Sequence, residues 1–100
     1  MAIDGITEHI VSTPGVLGGK PHIKGHRISV QDVAIWHERL GQSVDEIATD
    51  YQLTLGQVYA ALAYYHDHRA AIDAELARGE ALVAELRARF PSKVGERHRA

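Results

Sequence analysis

The stretch VDEIATDYQLTLGQVYAALA, Val44 to Ala63, decides the fold. Its apolar residues fall into two short helical repeats, not one. Val44, Ile47, Ala48 and Tyr51 share a side, Gln52-Leu53 interrupts, and Val58, Leu62 and Tyr65 follow on a second repeat. Each repeat opens with the pattern of a capping box: Ser43 with Glu46, then Thr54 with Gln57. In such a box the hydroxyl accepts from a backbone N–H three residues on, while the longer side chain reaches back to the cap. A helix-turn-helix unit needs apolar residues at its fourth, eighth, tenth and fifteenth positions and a small one at its fifth. Here these are Ile47, Tyr51, Leu53, Val58 and Ala48. The ninth position, in the turn, usually holds glycine; Gln52 stands there instead.

Working outward, Val30, Val33, Trp36 and Leu40 predict a preceding helix with Ser29 as its cap and Gly41 as its stop. Before it, Thr7 to Val11 and His26 to Val30 read as short strands around a segment rich in glycine and proline, Pro14 to Gly25. On the other side, Ile72, Leu76, Val83, Leu86 and Phe90 fall close to a coiled-coil seam, with Gly79 at the skipped position. That register runs back through Arg69, Tyr65, Leu62 and Val58 to Leu55. Pro91 stops the helix, and Ser92 to Ala100 reads as a flexible polar tail. The expected architecture is mainly α. It has a short N-terminal β-hairpin or arm, a tri-helical helix-turn-helix core over residues 1–68, a long C-terminal amphipathic helix over 69–90, and a tail over 91–100.

Composition narrows the function classes. One hundred residues, 45% hydrophobic and 24% charged, suit one soluble domain with a modest core. The absence of cysteine removes disulfides, thiol catalysis and thiolate-bound zinc. No secretory leader or membrane span is read from the sequence, so a cytoplasmic location is expected. A net charge of −2 is not that of a general nucleic-acid binder, so any such contact must be local or shared between subunits.

The local candidate is Lys20-Pro-His-Ile-Lys-Gly-His-Arg27, whose Lys20, Lys24 and Arg27 stand among no acids, against eight bases and thirteen acids elsewhere. Basic residues on a glycine-rich turn can reach phosphates; the same glycines also serve turn geometry, and both readings hold together. The second helix of the unit, Thr54 to Tyr64, has two readings. One places it in a DNA major groove, with Thr54, Gln57 and Tyr59 as its contacts. The other makes it a packing element only, because it carries neither Arg nor Lys.

The strings GVLGGKPHIKGHRISVQDV (residues 15–33) and LGQSVDEIATDYQLTLGQVYAAL (residues 40–62) closely resemble the domain-of-unknown-function family numbered 433. That family has a glycine-lysine-proline turn, a Gly-x-Arg-Ile/Val strand and a Gly-x-Ser/Thr-x-x-Glu-Ile helix start. The resemblance spans residues 7 to 68. Members are similar to VapB-type antitoxins, often encoded beside a PIN-like ribonuclease toxin. The resemblance implies operator DNA binding, dimerisation and toxin neutralisation. The chain departs from the pattern at His26, where threonine is usual, and at Gln52, where proline is usual. The first departure implies altered strand pairing, the second a change of turn rigidity only.

Other chemistry finds less support. His22 and His26 lie four apart on a turn, and His66 and His68 point apart on a helix, so solvated histidines are expected, with no metal and no cofactor. No nucleophile or P-loop pattern is present, and an enzyme, metal-dependent or otherwise, is not expected. Trp36, Tyr51, Tyr59, Tyr64 and Tyr65 read as core and interface. An interface with a homodimer mate or a toxin is expected along Leu62, Tyr65, Ile72, Leu76, Val83, Leu86 and Phe90. The leading expectation is therefore an antitoxin that binds operator DNA as a dimer and holds its toxin through the C-terminal helix. The alternative is an interaction adaptor in which the helix-turn-helix is scaffold alone.

Overall fold

A computed structural model describes residues 8–90. The tail expected over 91–100 lies outside the described residues, as does Thr7. The chain divides into two compact units, the first ending at Arg69.

The first unit opens with strand β1 (Ile10–Val11), a tight turn at Leu17–Gly19 and strand β2 (His22–Ile23). The strands pair antiparallel, Ile10 opposite Ile23 and Val11 opposite His22. The second strand is thus earlier than the expected His26–Val30. Gly25, at φ +82°, turns the chain there, and the Ile23 N–H donates to the Ile28 carbonyl at 2.9 Å. Lys24 to Arg27 are consumed in that reversal, and Ser29 makes an isolated bridge to His22.

Three helices follow. Helix α1 (Val30–Ala34) continues as a π-helical stretch, Ile35–Arg39, with Leu40 N–H donating to the Ile35 carbonyl at 3.0 Å. Helix α2 spans Val44–Asp50 and α3 spans Leu55–Asp67. All three begin with reciprocal capping boxes: Ser29 with Asp32, Ser43 with Glu46, Thr54 with Gln57. These side chains satisfy N–H groups that have no partner inside the helix.

The three helices and the hairpin share one core, in which α3 packs on α1, α2 and both strands. Ile23, Val30, Val33, Ile47 and Val58 are fully buried there, and Leu53 closes the turn side. Tyr51 departs from its expected packing position. It is exposed and lays its ring on Trp36, centroids 3.8 Å apart and planes 3° from parallel. Gln52 takes the left-handed conformation, φ +55°, that explains why glycine suits this turn position. Proline, locked near −65°, cannot enter this turn, so the departure at Gln52 changes the turn's geometry and not only its rigidity.

Helix α4 (Arg69–Arg89) forms the second unit apart from its first residue. The seam read through Leu55, Leu62 and Tyr65 does not run as one helix. His68 breaks it with φ −123° and ψ 27°, its N–H donating to the Tyr64 and Tyr65 carbonyls. Along α4 only Ile72 is buried, and every residue from Ala77 to Phe90 is exposed. The side away from the large apolar residues is mostly alanine (Ala70, Ala74, Ala77, Ala81, Ala84, Ala88), so α4 is barely amphipathic. Among the described residues, no helix is long and apolar enough to cross a membrane.

Candidate nucleic-acid interface

The amino end of α3 differs from those of α1 and α2. The first turn of α1 contains Asp32 and that of α2 contains Asp45 and Glu46, so each places negative charge on the positive end of its helix dipole. Helix α3 has no acid in its first turn, because its box is closed by the neutral Gln57. Gln57 Oε1 accepts from Thr54 N–H at 2.8 Å, and Thr54 Oγ1 accepts from Gln57 N–H at 3.1 Å. The geometry of the cap is kept while its charge is left out, which leaves this helix end able to attract an anion.

The capping bonds also qualify two of the expected base contacts. The oxygens of Thr54 and Gln57 are already engaged with backbone, so their remaining polar capacity is a hydroxyl proton and an amide NH2. Tyr59 is 59% exposed and stands one turn from Leu55, which is 47% exposed. Gly56, between them in sequence, is also exposed. The outer face of α3 thus offers one phenol and one large aliphatic group.

At Lys24, the backbone of the basic turn comes near this helix end by way of His9. Lys20, Lys24 and Arg27 are all exposed. Lys24 N–H donates to the His9 carbonyl at 2.7 Å. A Cβ built on Gly56 would lie 3.7 Å from His9 Nε2 and 3.8 Å from Thr54 Oγ1. His9 therefore sits between the lysine turn and the first turn of α3. It lies 47 positions from Gly56, and no local pattern in the sequence links the two. His22 anchors the other end of the turn. It is buried, not solvated as expected, and its Nδ1 lies 2.9 Å from the Lys20 carbonyl.

Three further histidines, His37, His66 and His68, make side-chain contacts within the chain. Glu38 has His37 Nε2 at 3.9 Å and His66 Nε2 at 3.8 Å, and His37 Nδ1 meets the Gln42 carbonyl at 2.8 Å. His68 stacks on Tyr64 and bonds its carbonyl. Among the described residues, no group of three or more His, Asp and Glu side chains is placed to hold a metal ion.

Residues 10–65 match the family described as protein of unknown function, DUF433. The chain belongs to the DUF433 family. The crystal structure of a DUF433 member from Anabaena variabilis ATCC 29413 is similar. The two share 31% identity over 76% of this chain and 75% of that one, with a TM-score of 0.65. No curated protein matches the chain. The DUF433 span runs from β1 almost to the end of α3, so it contains the lysine turn and the uncharged cap of α3 and leaves out α4.

Of the expected interface residues, Leu62 and Tyr65 are 7% and 5% exposed. They belong to the interior of the chain and offer almost no surface to a partner. Ile72 is buried too, Leu76 is half-buried, and Val83, Leu86 and Phe90 are exposed.

Proposed function

We propose that this DUF433 chain is a cytoplasmic DNA-binding regulator of the antitoxin type, not an enzyme. The single observation that carries this reading is the meeting of the Lys24 turn with the acid-free amino end of α3, through His9. Phosphate is the ligand such a pair suits, since lysine supplies charge and the helix end supplies oriented N–H groups. With the helix end on the backbone, the first turns of α3 would lie along the major groove, where Tyr59 and the amide NH2 of Gln57 can meet base edges. Lys20 and Arg27 would extend the phosphate contact. A symmetric pair of chains would double these local contacts, which the overall charge of −2 per chain does not itself supply. In the antitoxin reading the gene's neighbour encodes a PIN-like ribonuclease, which the chain neutralises by binding it.

The test is a titration of the purified chain against the DNA upstream of its own gene at several salt concentrations. Binding should weaken steeply with salt. Neutralising Lys20, Lys24 and Arg27 together should lower the slope of log K against log salt by about 2.7 per chain. Absence of binding at low salt would end the DNA reading. The exposed Leu55 and Tyr59 favour a second reading, an interaction adaptor whose α3 faces protein. In that case the chain would not bind DNA, Leu55→Asp would weaken its association with its protein partner, and the three basic residues would be dispensable.

A further inference from the structure

We infer that α4 is a self-complementary helix that pairs antiparallel with α4 of a second copy of this chain. From Ala77 onward α4 buries nothing, yet it carries Leu82, Val83 and Leu86, with Phe90 just past its end, each 44% exposed or more. The uncovered stretch from Ala77 to Arg89 is short enough to be marginal as an isolated helix in water, and its exposed apolar residues call for an occupant. The order of charges beside the seam selects which one.

Leu76, Gly79, Val83, Leu86 and Phe90 repeat at alternating spacings of three and four, the spacing of a coiled-coil core. Asp73, Glu80 and Arg87 flank the seam on one side, and Glu75, Leu82 and Arg89 on the other. Acids occupy the first half on both sides and arginines the second half. Two copies running in parallel would set Glu75 against Glu80 of its mate, a like-charge contact. Two copies running antiparallel, centred on Ala81, set Glu75 against Arg89 and Asp73 against Arg87, each twice by symmetry. The same register stacks Leu76 on Leu86, Val83 on Gly79 and Leu82 near its own copy. One alignment thus satisfies the flanks and the core from Leu76 to Leu86; Phe90 falls opposite Ile72, which is buried. Its one like-charge contact is Glu80 with its own copy. Arg89 is already paired along its own helix with Glu85 at 3.0 Å, an exposed i,i+4 contact worth little in water, so the contact with Glu75 of the mate has to compete with it. A toxin laid on the seam would require no such self-matching order of charges. The inference goes beyond the operator reading and does not depend on it.

The full chain lacks cysteine, so introduced thiols report geometry cleanly. Leu76→Cys mixed with Leu86→Cys should form a disulfide between chains under mild oxidation, whereas neither variant alone should cross-link to itself. In sedimentation equilibrium the native chain should self-associate. Glu75→Arg should raise the dimer Kd about tenfold, since two symmetric pairs are reversed. Adding Arg89→Glu to the same chain should restore it. A chain that stays monomeric at all concentrations overturns the inference, as does Leu76→Cys cross-linking to itself. A double reversal that fails to recover association does the same. The exposed positions Glu75 and Arg89 leave the core of the first unit untouched, so folding does not confound the reading.

Discussion

Replacing Gln57 with glutamate separates what the cap of α3 does for stability from what its neutrality does for function. The substitution is isosteric. The introduced carboxylate can accept from Thr54 N–H at the 2.8 Å separation that Gln57 Oε1 now has. The bond becomes charge-assisted, and the new charge sits on the positive end of a 13-residue helix whose first turn has no acid to repel it. These effects should stabilise the fold by about 0.5–1 kcal/mol. For a domain of this size that raises Tm by roughly 2–8 °C. If the proposed DNA reading holds, the sign reverses on DNA. A negative charge about 6 Å from a phosphate costs from ~0.7 kcal/mol in water to ~3 kcal/mol in a partly shielded contact, so about a tenfold loss is expected per half-site. Thermal unfolding and a fluorescence-anisotropy titration on the same preparation of Gln57→Glu measure both. A lower Tm would show that the cap geometry does not hold. A higher Tm with unchanged DNA affinity would refute the placement of this helix end on phosphate.

Two further predictions concern the fold. Gln52, exposed and at φ +55°, should gain about 0.5–1 kcal/mol on replacement by Gly, which takes this conformation freely. Gln52→Pro should be destabilising by about 3 kcal/mol or more, and equal Tm values for the two variants in calorimetry would contradict the turn geometry. Glu46 gives a pH dependence. The Ser43 backbone N–H, then the Ser43 hydroxyl, hold its carboxyl below the ordinary value of 4.5, so the charged form is favoured in the native state. Its contribution is complete well above pH 4.5 and is lost as the pH falls from there through the lowered native value. Glu46→Gln should remove that part of the acid-side decline in chemical denaturation. An unchanged decline would count against the bond.

Local chemistry explains why so much of this chain is legible in its sequence. Ser43 with Glu46 and Thr54 with Gln57 are contacts between residues three apart, and the apolar spacing of Ile47, Leu53 and Val58 reports one shared core. Both act over a few residues, so the linear pattern carries them. The second strand is different, because β-branched Ile28 and Val30 on either side of Ser29 suit a strand in isolation. In the folded chain Ser29 caps α1 instead, and the backbone turns at Gly25. The seam read through Leu62 and Tyr65 into Ile72 gives no warning of the break at His68, since spacing records periodicity and not continuity of the backbone.

The sequence by itself determined the helices around Val44–Ala63, their caps and the concentration of charge at Lys20–Arg27, because each depends on neighbours along the chain. It also contained the neutral Gln57, though the meaning of that residue depends on what stands beside it. Only the tertiary structure decided that the hairpin carries His9 between Lys24 and Gly56, which joins the lysine turn to the end of α3 that lacks an acid. That meeting comes from packing the hairpin on α3, a long-range contact that no short-range periodicity encodes.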